Sequence, residues 1–278
     1  RSGHSFPTRR SSDLVTFLKD PVSILIMGVE DYSSGGANGR SDTLMVATFD
    51  PDTAKMQLLS IPRDTRVEIA EIGTLEKINH AFAYGGKETT IETVENLLDI
   101  PIDYYVTVNF EAFKSIVDEL GGITVDVPFD FTQNSDDRVA EKLEFYEGPM
   151  ELDGRQALAF ARMRLEDPRG DIGRNERQKQ VVQAVIDKLA SAGTLFKIDE
   201  LAEVVGDNVE TNLQVSDGIS FFKDYSSFDS SDIETLTLEG IPEYIDGISY
   251  FIVDEIELEI LQKNLKDTLN HEGSSKES

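Results

Sequence analysis

The stretch PVSILIMGV, Pro21–Val29, is a continuous apolar run rich in branched side chains, and the loop-forming residues YSSGGANG follow it closely. Such a run with turn signals at its end is typical of a strand that is buried on both faces. TLMVATFD, Thr43–Asp50, and KMQLLSIP, Lys55–Pro62, are separated only by the break at Pro51–Ala54. This spacing predicts a hairpin, so we expect a sheet core near the start of the chain.

Helical and extended patterns alternate after this hairpin. Thr89–Asp99 places its apolar residues on one helical face, and FEAFKSIVDELGG, Phe110–Gly122, repeats the pattern up to a glycine stop. Tyr104–Val108 and Ile123–Val127 are predicted strands on either side of the second helix. This order predicts an α/β (or α+β) fold in which helices flank a central mixed β-sheet in αβα layers. Further helices are predicted at Gly154–Ala161, Arg174–Ala190 and Asp254–Leu269.

Composition and charge restrict the possible functions. The 278 residues are 39% apolar and 28% charged, which is enough for a sizeable core. The 26 Lys and Arg against 53 Asp and Glu give a net charge of -27, and the chain has no Cys. The charge argues against nucleic acid as a partner and requires a local basic cluster for any anion that is bound. The missing Cys excludes disulfides and thiolate chemistry.

The two ends of the chain are set apart from the rest. Residues 1–14, RSGHSFPTRRSSDL, resemble the in-frame translation of a sequencing adapter, and we interpret them as a non-native replacement of the true amino terminus. Residues 15–270 are predicted to form a single domain, and the polar residues 271–278 a disordered tail. The longest apolar run is far shorter than the ~18 residues that a spanning helix needs.

The segment LAFARMRLEDPRGDIGRNERQKQVV concentrates basic residues. Arg162 and Arg164 lie two apart in a predicted extended stretch, so both side chains should leave the same face. Arg174, Arg177 and Gln178 follow at helical i, i+3, i+4 spacing near the first turn of the next helix. Arginine forks beside a helix N-terminus suit phosphate oxygens, which favours an anion site.

A second interpretation of this segment stays open at this point. The same window contains Glu166, Asp167, Asp171 and Glu176, which lie close enough to pair with the arginines. The residues alone are equally compatible with a surface network of salt bridges.

Two further clusters flank the predicted hairpin strands. In SIPRDTRV, Arg63, Asp64 and Arg66 follow directly after a strand, and ligands bind at strand ends in α/β sheets. In NGRSDTLMV, Arg40 and Asp42 precede the other strand.

Carboxylates at neighbouring strand ends suggest a metal. Glu30 and Asp31 follow the first strand, and together with Asp42 they could hold Mg²⁺ against a phosphate, although acidic loops are common without a metal. KINHAFAYGG adds Lys77 and His80, and a lone His is more often structural than catalytic.

Taken together, these segments resemble a known family. GRSDT, SIPRDTRV, KINHAFAYGG, DELGGITVDVP, LDGRQALAFARMR and DPRGDIGRNERQKQVV have the order and approximate spacing of the LytR-CpsA-Psr family, from about Ile24 to Ala190 and more weakly to about Leu269. The combination is far more specific than any single arginine pair. The resemblance implies an extracytoplasmic enzyme, at the outer face of the cell membrane or in the cell wall of a Gram-positive bacterium, with a central sheet flanked by helices.

The resemblance also implies an activity and partners. Such enzymes are phosphotransferases that move a glycopolymer, for example wall teichoic acid or capsular polysaccharide, from a polyprenyl-pyrophosphate carrier to a muramoyl hydroxyl of peptidoglycan, forming a phosphodiester. The implied cofactor is Mg²⁺ (or Mn²⁺). The implied partners are the carrier-linked glycan, peptidoglycan and the membrane, the last through an N-terminal anchor that is missing here.

The same resemblance assigns roles to residues. Asp42, Arg63, Arg162 and Arg164 would be catalytic, and Asp42 would hold the metal or act near it. The family usually has Gly-x-Asp after its first strand, whereas GVED stands here, so either Glu30 or Asp31 would be the metal ligand on that side. The residues that would bind the pyrophosphate are Arg63, Lys77, Arg162, Arg164, Arg174 and Gln178, with Arg40, Arg66 and Arg177 as further candidates.

Two other functions remain as alternatives. One is a non-catalytic module that binds polyprenyl pyrophosphate or cell wall, and the other is a lipid pyrophosphatase in which water replaces the sugar hydroxyl. The prenyl chain would need an apolar tunnel. Phe110, Phe113, Ile116 and Val117 are candidates for its lining, but sequence does not distinguish them from ordinary core residues.

Overall fold

The computed structural model describes residues 19–29, 39–134, 142–191, 198–225, 228 and 230–270. The strands are β1 (Val22–Val29), β2 (Ser41–Asp50), β3 (Lys55–Ser60), β4 (Arg66–Glu68), β5 (Leu75–Lys77), β6 (Tyr104–Asn109), β7 (Ile123–Val127), β8 (Phe131–Asn134), β9 (Lys142–Phe145), β10 (Gly148–Leu152), β11 (Val209–Thr211), β12 (Ile233–Thr237), β13 (Gly240–Ile245) and β14 (Ile248–Val253). The helices are α1 (His80–Leu98), α2 (Phe110–Glu119), α3 (Gly154–Arg162), α4 (Asp171–Ala190), α5 (Ile198–Val205), α6 (Val215–Asp224) and α7 (Glu255–Leu269).

A six-stranded mixed sheet in the order β11-β6-β1-β2-β3-β12 forms the centre of the fold. β1 pairs antiparallel with β2 and parallel with β6, and β2 and β3 form the predicted hairpin. Val22, Leu25, Met27 and Val29 of β1 are fully buried, as expected for a strand covered on both faces. The predicted central mixed sheet is therefore confirmed.

Helices cover both faces of this sheet. On one face, Leu25 and Met27 of β1 belong to an apolar cluster that includes Leu98 of α1 and Leu265 of α7. On the other face, Met45, Ala47 and Phe49 of β2 cluster with residues of α4 and α6. Because side chains alternate along a strand, the two faces of β1 and β2 contribute side chains to two separate apolar cores. The predicted αβα layering is confirmed.

Several element boundaries differ from the sequence-based expectation. α1 begins at His80 instead of Thr89, since the chain stays helical on both sides of a kink at Gly85 and Gly86, the latter with φ of +65°. α4 begins at Asp171 instead of Arg174, directly after Gly170 with φ of +56°.

The prediction that Arg162 lies in an extended stretch is wrong, because α3 continues to that residue. A capping box between Asp153 and Gln156 starts the helix, and Leu158 and Phe160 are buried within it. The chain becomes extended only at the next residue, Met163.

No helix among the described residues is long and apolar enough to cross a membrane. Residues 1–14 and 271–278 lie outside the described part of the chain, so their assignment as foreign sequence and disordered tail stays a prediction. The division into a single domain over residues 15–270 likewise stays a prediction.

Candidate functional site

A cavity of about 580 Å³ lies between the central sheet and helices α2, α3, α4 and α6. Its lining is mostly apolar, with side chains such as Ile24, Met45 and Phe49 from the sheet and Phe221 from α6. The polar residues in the lining come from the edge of the sheet where β1, β3 and β6 end and β2 begins, and from α3 and α4. They are Asp42, Thr43, Arg63, Asn109, Arg162, Arg174 and Gln178.

The cavity has the dual character that a lipid pyrophosphate requires. Of the tunnel candidates, Phe110, Phe113 and Ile116 line the cavity, whereas Val117 is buried in a separate core cluster. An apolar body with a few convergent polar groups at one end is the usual form of a ligand pocket.

Arg63 and Asp42 form the first contact at the polar end. Nη1 of Arg63 donates to Oδ1 of Asp42 at 2.7 Å. The pair forms because β2 and β3 are antiparallel, which places the start of β2 beside the segment that leaves β3. Burial opposes the charge of Arg63, but this hydrogen bond and the nearby carboxylates of Asp42, Asp64 and Asp171 raise the pKa of its guanidinium.

Arg174 is the most buried of the cationic side chains that line the cavity, with 6% of its surface exposed. Burial lowers the pKa of its guanidinium, and the charges of Arg63 and Arg164 act in the same direction, against Asp171 and Asp42. Its Nε and Nη2 are buried without a hydrogen-bond partner in the described structure. Such a buried guanidinium with unused donors is a strong candidate for binding an anion.

Gln178 lies one turn after Arg174 on α4 and also lines the cavity. Its Nε2 is 3.5 Å from the carbonyl oxygen of Ala161, at the limit of hydrogen-bond distance. Its amide therefore has donor capacity for a ligand next to Arg174.

Arg162 faces the cavity from the last residue of α3. Its guanidinium carbon lies 4.6 Å from the centroid of the Phe110 ring, within cation–π range. The aromatic ring holds the arginine at the border between the polar and apolar parts of the lining.

Asp171, the first residue of α4, connects two of the arginines. Its Oδ1 lies 2.9 Å from Nε of Arg164 and 3.0 Å from Nη2 of Arg174. Sequence reasoning treated Asp171 only as a member of a surface salt-bridge network. Its i, i+3 spacing to Arg174 was the signal that could have placed it at the site.

Arg177 points away from the cavity, although it was expected to share a face with Arg174 and Gln178. Its Nε donates to the carbonyl of Phe160 at 3.2 Å, Nη2 donates to the carbonyl of Met163, and Nη1 pairs with Asp167. The prediction of a shared face is wrong because successive helical residues point about 100° apart, so position 177 faces α3 while position 178 faces the cavity.

Lys77 and Arg66 form a cluster of their own that does not line the cavity. They pair across β4 and β5, and Nζ of Lys77 lies 2.9 Å from Oδ1 of Asp64. The ring of Tyr250 lies 5.7 Å from the Arg66 guanidinium and 5.9 Å from the Lys77 ammonium. No local sequence signal pointed to Tyr250. Arg40 is exposed and also lies outside the cavity lining.

The predicted metal ligands are only partly described. Glu30 and Asp31 lie outside the described residues. Within the described ranges no group of three or more acidic or His side chains could hold a metal ion. Asp42 does line the cavity, and Mg²⁺ commonly takes one or two protein carboxylates and completes its shell with substrate phosphates and water. The single carboxylate of Asp42 is therefore compatible with a Mg²⁺ ion whose other ligands include phosphate oxygens.

The chain is similar to a known protein family and to named proteins. The model of the LytR_cpsA_psr family matches residues 7–267. The Bacillus subtilis protein named polyisoprenyl-teichoic acid–peptidoglycan teichoic acid transferase TagV is 48% identical over 264 residues, covering 94% of this chain and 68% of that protein. The B. subtilis protein of the same description named TagU is 42% identical over 261 residues, covering 94% of this chain and 82% of that protein.

Solved structures show the same similarity. The crystal structure of B. subtilis TagV superposes with a TM-score of 0.82 at 49% identity, covering 90% of this chain and 98% of that one. A structure described as TagT bound to LIIa-WTA superposes with a TM-score of 0.75 at 34% identity, covering 92% of this chain and 93% of that one.

Proposed function

This chain belongs to the LytR-CpsA-Psr family, and from that premise we propose that it is a phosphotransferase that moves a teichoic-acid-type glycopolymer from a polyprenyl-pyrophosphate carrier to peptidoglycan. The observation that carries the proposal is the cluster of arginines at one end of an apolar cavity. The names of the relatives, which are polyisoprenyl-teichoic acid–peptidoglycan teichoic acid transferases, support teichoic acid over capsular polysaccharide as the polymer.

The two parts of the cavity bind different parts of the carrier. The prenyl chain lies along the apolar lining, which includes Phe110, Phe113 and Ile116. The pyrophosphate lies at the polar end, where Arg63, Arg162 and Arg174 reach the lining. Arginine forks neutralise the charge of the phosphates and fix their orientation, which are the two requirements of phosphoryl transfer.

The reaction exchanges one bond at phosphorus. The muramoyl hydroxyl oxygen attacks the phosphorus that carries the glycan, and the bond from that phosphorus to the bridging oxygen of the pyrophosphate breaks. The products are the glycan linked to peptidoglycan by a phosphodiester, the polyprenyl phosphate and one proton. No covalent enzyme intermediate is required, because the arginines stabilise the charge that develops and hold the reactants in line.

Asp42 is the candidate acceptor for the proton of the attacking hydroxyl. Its carboxylate lines the cavity beside Arg63, which holds one of its oxygens at 2.7 Å. The hydrogen bond fixes the carboxylate in place, and the other oxygen is the one assigned to the hydroxyl.

Asp42 would also contact Mg²⁺ (or Mn²⁺). Glu30 or Asp31, from the GVED stretch that follows β1, would be the second carboxylate ligand. A divalent cation at this position supplies positive charge to the phosphate oxygens.

Action on peptidoglycan places the enzyme outside the cytoplasm, as the cell-wall substrates of its relatives imply. Attachment to the outer face of the membrane of a Gram-positive bacterium is part of our proposal. Its support is the prenyl carrier, which is itself a membrane lipid.

The test combines the full chain, a synthetic polyprenyl-pyrophosphate glycan, peptidoglycan oligomers and Mg²⁺, and it follows the products by mass. We expect a phosphodiester-linked glycan–peptidoglycan product together with polyprenyl phosphate. Polyprenyl phosphate without linked glycan would favour the pyrophosphatase alternative. Tight carrier binding with no turnover would favour the non-catalytic binding module.

A further inference from the structure

Asp171 is a carboxylate placed where an anionic ligand would interact with the arginines. Its Oδ1 lies within 3.0 Å of nitrogen atoms of both Arg164 and Arg174. Its charge also contributes to the raised pKa of Arg63. One carboxylate therefore interacts electrostatically with three arginines from three segments of the chain.

The contact between Asp171 and Arg174 is close but incomplete. Oδ1 of Asp171 and Nη2 of Arg174 are 3.0 Å apart, yet both are buried atoms without a well-formed hydrogen bond. Nε of Arg174 also has no hydrogen-bond partner in the described structure. Asp171 thus offsets the charge of Arg174 at Nη2 and leaves the Nε donor available to a phosphate oxygen.

The charges of the site set how tightly it holds an anion. Arg63, Arg162, Arg174 and Asp42 line the cavity. Arg164 and Asp171 lie outside this lining, and Asp171 connects Arg164 to Arg174 by two ion pairs. Removing the negative charge of Asp171 would strengthen binding of the substrate and also of the phosphate product that has to leave.

We propose that Asp171 is a positioning residue that weakens the hold of Arg164 and Arg174 on phosphate and so permits release of the polyprenyl phosphate product. The proposal rests on the proposed function, because it assigns a role within that same site. When the phosphate leaves, Asp171 provides the two arginines with an alternative partner, and the charged groups are not left uncompensated. Asp171 does not contact the reacting atoms.

Asp171→Asn tests this role, and Glu176→Gln is the matched control. Both changes remove one negative charge from α4, but Glu176 pairs with exposed Arg169 at 2.6 Å and does not line the cavity. We expect Asp171→Asn to lower the dissociation constant of inorganic pyrophosphate and of geranyl phosphate about fivefold, measured by calorimetry, as the loss of partly exposed ion pairs suggests. Glu176→Gln should leave both constants unchanged, and Asp171→Glu should restore values near those of the wild type.

Turnover provides a readout that a merely structural role would not produce. In the transfer assay, Asp171→Asn should lower kcat about fivefold and also lower KM, while the single-turnover rate of transfer stays at the wild-type value. Unchanged or weaker binding of pyrophosphate by Asp171→Asn would overturn the inference, since it would make Asp171 a residue that only orients the arginines. If the wild type binds but does not transfer glycan, the proposed function fails, and the ratio of binding constants still decides the role of Asp171 in anion affinity.

Discussion

Nη1 of Arg63 and Oδ1 of Asp42 are 2.7 Å apart, so an anion from β2 and a cation from the segment that follows β3 meet at the polar end of an otherwise apolar cavity. The pair joins the two requirements of the proposed reaction in one place. In the proposed reaction, Arg63 would bind the phosphates and Asp42 would accept the proton of the attacking hydroxyl. Their hydrogen bond keeps both side chains in fixed positions before substrate arrives.

Asp42→Asn should abolish transfer and preserve binding of the carrier. The amide keeps the size of the side chain but does not accept a proton, so we expect kcat to fall at least about 100-fold. Calorimetry with geranyl pyrophosphate should give a dissociation constant within about threefold of the wild-type value, since the arginines remain. If binding falls as much as turnover, Asp42 places the ligand or a metal and is not the base.

Val182→Phe should discriminate between long and short carriers. Val182 lies on α4 in the lining of the cavity, and a larger ring there reduces the space for a prenyl chain. We expect kcat/KM to fall about tenfold or more for long-chain carriers and to change little for geranyl carriers.

The control for this prediction is Val204→Phe, which changes a half-exposed position on α5 outside the cavity lining. It should leave both substrates unaffected. Equal losses for long and short carriers with Val182→Phe would contradict a prenyl chain in the cavity.

Arg177→Met should destabilise the fold more than any change to the exposed arginines. The side chains of Arg177 and Asp167 are 3% and 0% exposed, and the substitution removes the nearest cation of the buried carboxylate, since Nε of Arg169 lies 3.7 Å from it. Removing one partner of a buried pair costs about 3–5 kcal/mol, measured here as the free energy of unfolding in urea. Glu176→Gln, which weakens only the exposed pair with Arg169, should cost less than about 1 kcal/mol. Similar values for the two variants would show that the buried pair is not a structural support.

Asp167 should make stability depend on pH in the acidic range. Burial opposes its charge, but hydrogen bonds from Arg177 and from the backbone N–H of Arg169 at 2.8 Å keep the pKa of this carboxyl below its ordinary value. Because the folded pKa is below the unfolded one, the stabilisation is present above about pH 4 and is lost as the pH falls through the folded pKa.

Urea unfolding of the wild type and Asp167→Asn between pH 7 and pH 2 measures this contribution. The difference in the free energy of unfolding should be largest at neutral pH and shrink below about pH 4. A difference that is constant over the whole range would mean that the charge of Asp167 contributes nothing to stability.

Local patterns in the sequence were sufficient for β1, β2, β3 and β6 of the central sheet and for most of the helices, whereas the edge strands β11 and β12 were not located and β7 pairs with β10 in a separate sheet. Branched apolar runs such as Pro21–Val29 determine buried strands because few other structures accommodate them. Helix boundaries were harder to predict from the sequence. The glycine pair at Gly85 and Gly86 is a kink inside α1 and not its border, and α3 ends at Arg162, one residue later than expected.

The composition of the candidate site could be predicted only in part. Motif order pointed to Arg63, Arg162 and Arg174, which the structure brings to one cavity. The different environments of Arg177 and Gln178 depend on how α4 packs against α3, a tertiary contact that residue spacing does not specify. Tyr250 meets Lys77 across more than 170 positions of the chain, and such long-range contacts leave no periodic signal.

The most direct test of the central claim is the amount of phosphodiester-linked glycan formed per enzyme by the wild type and by the double variant Arg162→Ala, Arg164→Ala in the mass-based transfer assay. The wild type and the double variant must first show the same midpoint of thermal unfolding, which establishes that the double variant is folded. We expect linked product from the wild type and at least about a 100-fold loss in the double variant, because two of the arginines proposed to bind the pyrophosphate are removed. Equal product from both proteins would contradict the assignment of the arginine cluster as the site of transfer.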